Sequence, residues 1–138
     1  MKNLSSVVIA LVVSIVILGS CTKNPEDKIQ GTWTIDKIES TADMTPADME
    51  LFESSAEEQK EILTYKFDES KMTMKYGDEI SEWAWNIDKV NDSLKLNISI
   101  EDRNLEFNVK ELTENKLIWE ENVYDEYIVT TTLVKKPE

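Results

Sequence analysis

The sequence predicts an all-β protein, an antiparallel meander of about eight strands that closes into a barrel, with a helical insertion after the first strand. From residue 29 onward, apolar and polar residues alternate with period two, which is typical of half-buried strands. The connections are short and rich in turn-forming residues, too short for the helical crossovers that parallel strands need. Closure is expected because an open meander would leave two unpaired edges.

Each predicted strand carries its apolar side chains on one face, which we expect to face the barrel interior. The expected inward positions are Trp33, Ile35, Leu63, Tyr65, Phe67, Met72, Met74, Tyr76, Trp83, Trp85, Ile87, Leu94, Leu96, Ile98, Ile100, Leu105, Phe107, Val109, Leu117, Trp119, Tyr127, Val129, Thr131 and Leu133. An interior bounded by about eight strands is filled either by these side chains or by one small ligand.

One segment departs from the two-residue period and predicts a helix. Thr45 is a suitable N-cap, Pro46 suits the first helical position and Asp48 supplies an acid in the first turn. Apolar residues then recur at helical spacing at Met49, Phe52, Ala56 and Leu63. A second capping box at residues 55–58 leaves open one helix or two helices bent at residues 54–55. The segment either packs on the barrel or acts as a lid over a ligand.

The amino terminus has the pattern of a secretory signal peptide, which we assign to residues 1–20. Lys2 precedes an apolar stretch over residues 4–18, and small residues follow it. The stretch is shorter than the roughly 20 apolar residues of a membrane-spanning helix. Residues 21–28 are polar and are expected to form a flexible tether between the membrane and the domain.

The sequence Leu-Gly-Ser-Cys at residues 18–21 resembles the lipobox of bacterial lipoproteins. The resemblance implies cleavage before Cys21, a diacylglycerol on its thiol and acylation of the new amino terminus. Several acyl chains on one residue hold a protein stably on a membrane. We therefore expect a cell-envelope protein attached through the lipid on Cys21, on the outer membrane, with the periplasmic and surface-exposed faces both left open.

Composition excludes several classes of function. Removing residues 1–20 leaves 118 residues, enough for one domain, with 14 basic and 28 acidic side chains. Such a surface repels nucleic acids and anionic headgroups. The chain has no histidine and its one cysteine is the expected lipid site, which excludes histidine-based catalysis and zinc or copper sites. We expect no enzymatic activity, no cofactor and no metal.

Four segments, residues 29–35, 63–68, 82–87 and 109–117, resemble the small lipocalin-like lipoproteins abundant in Bacteroidetes. The first contains the Gly-x-Trp signature of the first lipocalin strand, here ending at Trp33. The resemblance implies a lipocalin-like barrel domain over residues 29–138, with Trp33 packed across one end of the barrel. It also implies a small hydrophobic ligand. The helix after the first strand departs from typical lipocalins, whose helix follows the last strand.

The first functional hypothesis is therefore ligand binding inside the barrel. Aromatic and adaptable apolar side chains are the usual walls of such pockets. The candidate ligand-binding residues are Trp33, Tyr65, Phe67, Met72, Met74, Trp85 and Phe107. The alternative is that these residues simply fill the core. Three tryptophans, Trp83, Trp85 and Trp119, are candidates for the mouth of the cavity.

The second hypothesis is a surface-displayed interaction or structural module with a filled barrel. An acidic aromatic patch is formed by Glu120, Glu121, Tyr124, Asp125, Glu126 and Tyr127. Carboxylates suit calcium, but no loop has regular ligand spacing, and a solvated acidic turn is the favoured interpretation. The sequence identifies no protein partner.

Overall fold

The computed structural model describes residues 24–137, so the predictions of a signal peptide and of lipidation at Cys21 lie outside the described residues. Within this range, eight antiparallel strands form a closed barrel in which each strand pairs with the next and the last pairs with the first. The strands are β1 Gly31–Ser40, β2 Leu63–Phe67, β3 Met72–Tyr76, β4 Glu79–Val90, β5 Ser93–Ile100, β6 Arg103–Leu112, β7 Lys116–Val123 and β8 Tyr127–Lys135. The predicted closed meander is confirmed.

Tight turns keep the strands in this simple order. Val90 pairs with Ser93, and the two residues between them, Asn91 and Asp92, both have positive φ (49° and 66°). Such turns match the twist of antiparallel strands, and asparagine, aspartate and glycine tolerate the left-handed region best. Gly77, with φ 61°, serves the same purpose between β3 and β4.

Two β-bulges shift the alternation between inward and outward side chains. In β1, Ile35 lies opposite Leu133 but Lys37 lies opposite Thr132, so Asp36 is the extra residue. A bulge places two residues opposite one and reverses the side-chain phase beyond it. As a result Ile38, rather than Lys37, packs against the core. A second irregularity, between Val109 and Glu111 in β6, has the same effect on Leu112.

One end of the barrel, called the closed end below, is covered by a short helix, α1 (Pro25–Ile29). The Asn24 side chain accepts a hydrogen bond from the backbone N–H of Asp27 at 3.0 Å and so caps this helix. Ile29 is fully buried, and its carbonyl accepts a hydrogen bond from the indole N–H of Trp33 at 2.7 Å. Residues 25–28, expected to belong to a flexible tether, are therefore helical.

The opposite end, called the open end below, carries the inserted helix α2 (Pro46–Ile62), which packs on β1 and β3. Thr45 caps it as predicted, with its hydroxyl accepting from the Asp48 N–H at 3.2 Å. The segment is one continuous helix, so the alternative of two bent helices is wrong. The expected apolar stripe is only partly correct, because Ala56 is buried whereas Met49 is exposed. Leu63 is buried but begins β2.

Candidate functional site

A cavity of about 530 Å³ lies inside the barrel at the open end, between the strands and α2. Its walls combine residues from the strands with one face of the helix. The lining residues are Ile38, Phe52, Ser55, Ala56, Gln59, Tyr65, Met72, Met74, Trp83, Ile98, Arg103, Leu105, Phe107, Trp119, Glu121, Val129 and Thr131. A volume in this range is typical of pockets for small molecules.

Four of the seven predicted ligand-binding residues line this cavity: Tyr65, Met72, Met74 and Phe107. Tyr65 and Met74 lie directly opposite each other on β2 and β3, and Met72 is two residues from Met74 on the same face. The methionine side chains are flexible and polarisable, so they can adapt to ligands of different shape. The two hairpin strands therefore supply one wall.

The other three predicted residues, Trp33, Phe67 and Trp85, are not among the lining residues. Trp33 is fully buried at the closed end, where the Lys135 ammonium lies 4.9 Å from the centre of its ring. Phe67 and Trp85 pack edge to face at 5.4 Å, and the Trp85 indole donates to the Asp68 carbonyl at 2.8 Å. These residues build the base of the barrel, and the resemblance-based expectation for Trp33 agrees with its position there.

An aromatic cluster around Trp119 borders the same cavity, and it joins Tyr65 of the hairpin wall to Phe107 of β6. The ring of Tyr65 meets Trp119 edge to face at a centroid distance of 5.4 Å. Phe107 lies at 5.0 Å from the same indole, tilted by 34°. Such pairs are held by their complementary ring electrostatics in addition to their buried area. The ring contacts fix the positions of these three side chains, so this part of the cavity lining is preformed.

Polar groups of the lining belong to Ser55, Gln59, Tyr65, Arg103, Glu121 and Thr131. Burial, and secondarily the nearby Glu121 carboxylate, raise the pKa of Tyr65 to about 12. Both effects disfavour the phenolate, so the hydroxyl keeps its proton at neutral pH. The cavity thus presents a neutral hydroxyl and a carboxylate close together among apolar walls.

Glu121 is the lining residue that the sequence interpretation placed wrongly. It was assigned to an outer acidic patch, but it lies in phase with Leu117 and Trp119, both buried, and it lines the cavity. The two-residue period of β7 was the signal that would have identified it. Only Tyr124, Asp125 and Glu126 of that patch form the solvated turn, in which Tyr124 is 88% exposed and the Asn122 amide donates to Asp125.

Two further findings on residues 24–137 concern metal ligands and membrane-spanning helices. No group of three or more histidine, cysteine, aspartate or glutamate side chains in this range could hold a metal ion. No helix in this range is long and apolar enough to cross a membrane. Comparisons of the chain with family models, with curated proteins and with solved structures gave no match.

Proposed function

We propose that this chain is a lipid-anchored, cell-envelope protein of lipocalin-like type that binds a small hydrophobic ligand in its barrel and has no enzymatic activity. The observation that carries the proposal is the cavity of about 530 Å³ at the open end. A barrel that served only as a structural module would be expected to fill this space with side chains, because protein interiors are close-packed. The interaction-module alternative is therefore the weaker one.

The character of the walls supports a hydrophobic ligand. Met72, Trp119 and Phe107 are buried in the protein yet border the cavity, so a ligand there would contact apolar side chains. Transfer of apolar surface from water into such a site contributes about 25 cal/mol per Å². Eleven of the seventeen lining residues are apolar or aromatic without a charged or hydroxyl group, and the six polar ones could orient the ligand.

The anchoring part of the proposal rests on the sequence around Cys21, three residues before the first described residue, Asn24. The chain enters the barrel through α1 at the closed end, whereas the cavity lies at the open end beneath α2. A lipid on Cys21 would consequently hold the closed end toward the membrane and point the cavity mouth away from it. Ligand exchange would then occur with the aqueous phase or with a partner.

Ligand binding is tested by titrating the mature chain carrying Cys21→Ser with the neutral fluorophore N-phenyl-1-naphthylamine. We expect saturable binding at one site. Leu105→Trp, which puts a large ring into the cavity lining, should weaken binding at least tenfold. Ile80→Trp introduces the same ring at a position that is 65% exposed and outside the cavity, and it serves as the matched control. Equal binding by both variants, or no binding by the parent chain, would contradict the proposal.

Anchoring is tested separately by expressing the full chain with a palmitate analogue. The parent chain should become labelled and should sediment with membranes, whereas Cys21→Ser should do neither. Labelling that persists in Cys21→Ser would show that the lipid is attached at another residue, and it would contradict lipidation at Cys21. This outcome would leave the ligand-binding part untouched.

A further inference from the structure

Glu121 is a carboxylate that faces the interior of the barrel without a cationic partner in the described part of the chain. It follows Trp119 on the inward face of β7 and pairs across the sheet with Val129, another lining residue. The neighbouring residue Glu120 instead faces outward, and its carboxylate lies 3.7 Å from the Lys110 ammonium. Among residues 24–137, no lysine or arginine nitrogen lies within 4.0 Å of the Glu121 carboxylate. A carboxylate that faces a cavity with no cation beside it is suited to a ligand that brings the opposite charge.

Aromatic rings surround the same region. Trp119 lies between Tyr65 and Phe107 in the aromatic cluster, and Trp83 also lines the cavity. The faces of such rings attract cations, most strongly where water is excluded. The neutral Tyr65 hydroxyl, close to Glu121, adds a hydrogen-bonding group that cannot cancel the carboxylate charge. A carboxylate within an aromatic cluster is suited to a protonated amine.

Arg103 is the one cation among the lining residues of the described chain, and it lies at the rim rather than beside Glu121. It begins β6 at the open end, four residues before Phe107, which lies two inward-facing positions deeper. Arg103 is exposed to solvent, so its charge is screened by water. Glu121 is only half-exposed, so its carboxylate dominates the field deeper in the cavity.

The open end as a whole is acidic. Helix α2 carries six acidic residues and one lysine. The open-end connections, residues 41–45, 77–78, 101–102 and 124–126, carry six further acids and no basic residue. A mouth whose rim carries a large excess of negative charge concentrates cations and repels anions, even with Arg103 among the rim residues. Anionic lipids such as fatty acids are therefore disfavoured both at the mouth and beside Glu121.

We propose that the ligand is an amphipathic amine, with its apolar body against the methionine and aromatic walls and its protonated nitrogen on the Glu121 carboxylate and the Trp119 cluster. This inference rests on the proposed ligand-binding function and narrows it to one chemical class. A fatty acid in the same pose would place two carboxylates together in an apolar cavity, which is unfavourable.

The test uses three probes with the same ten-carbon body, decylamine, decanol and decanoate, each displacing N-phenyl-1-naphthylamine from the mature chain carrying Cys21→Ser. We expect decylamine to bind about tenfold more tightly than decanol, as one added charge contact would give, and decanoate to bind most weakly. In Glu121→Gln, the preference for decylamine over decanol should fall about tenfold while decanol binding is retained. Glu120→Gln, the outward neighbour, should keep the parent order.

The outcomes separate two levels of the proposal, ligand binding in the barrel and the narrower inference that the ligand is an amine. Displacement by decanol or decanoate without a preference for decylamine would overturn the amine inference and leave ligand binding intact. Decanoate binding most tightly, with that affinity lost in Arg103→Gln, would identify Arg103 as the head-group contact instead and overturn the inference. Failure of all three probes, together with the fluorophore, would overturn both levels.

Discussion

At the closed end, a buried hydrogen bond joins the Trp33 indole to the Ile29 carbonyl, and it can be removed without changing the fold class. In Trp33→Phe the indole N–H is lost, and the Ile29 carbonyl loses the donor that now lies 2.7 Å away. Both residues are fully buried, so water cannot easily replace the donor. An unsatisfied buried acceptor costs about 1–3 kcal/mol. The space left by the smaller ring adds about 1 kcal/mol. We expect the free energy of unfolding to fall by about 2–4 kcal/mol.

The assay is equilibrium unfolding in urea followed by far-ultraviolet circular dichroism. The matched control is Trp85→Phe, because the Trp85 indole also donates to a backbone carbonyl, that of Asp68, but is only partly buried. Its loss should cost about 1 kcal/mol, since water can satisfy the freed carbonyl. Ligand affinity should be unchanged in Trp33→Phe because the cavity lies at the other end. A decrease below about 0.5 kcal/mol, or one no larger than in Trp85→Phe, would refute this account of the closed end.

Three further predictions address the helix, the tyrosine and the orientation. Thr45→Ala removes the cap of α2 and should lower the free energy of unfolding by about 1 kcal/mol in the same assay, whereas an unchanged midpoint would show that the cap is dispensable. Because the pKa of Tyr65 is raised to about 12 in the folded chain, the unfolded chain releases this proton first, so stability should fall as pH rises from about 10 to about 12. Tyr65→Phe should flatten that decrease in melting temperature, and an identical pH profile would contradict the shift. In vesicles that contain acceptor lipids, a donor dye on Glu69→Cys at the closed end should be quenched more than one on Asp102→Cys at the open end. Equal quenching of membrane-bound protein would refute the orientation, while absence from the vesicles would refute the anchor.

The barrel is predictable from the sequence because strand geometry imposes a period of two, which is unbroken over most of the length of the strands. The two bulges were not predictable in this way. Asp36 and Lys110 look like ordinary outward residues, and only the pairing with the neighbouring strand reveals that they are extra. The alternation in the sequence therefore did not predict that Ile38 lines the cavity.

Helix α1 was missed although its signal was present. Asn24 and Pro25, followed by Asp27, repeat the cap, proline and acid of Thr45, Pro46 and Asp48. Short helices are marginal without tertiary contacts, so the cap alone did not justify the prediction. The burial of Ile29 stabilises this helix, and that burial is a property of the finished barrel.

Only part of the cavity lining was predictable from the sequence. Alternation determines that Tyr65 and Phe67 both face inward, but it does not say how far along the barrel axis each lies. The structure places Tyr65 in the cavity and Phe67 in the base, because α1 closes one end while α2 stands over the other. The inward position of Glu121 was predictable, because it alternates in phase with Leu117 and Trp119 on β7. Its charge favoured the incorrect interpretation that it lies on the outer face.

The most direct test of the cavity is a nuclear magnetic resonance titration with methyl-labelled methionine. Met72 and Met74 line the cavity, whereas Met44 and Met49 lie outside its lining, in the connection before α2 and on α2. With N-phenyl-1-naphthylamine as the added ligand, the methyl signals of Met72 and Met74 should shift and saturate at one ligand per chain, with little change at Met44. Shifts confined to Met44 and Met49, or no saturable shift at any methionine, would contradict a ligand site inside the barrel.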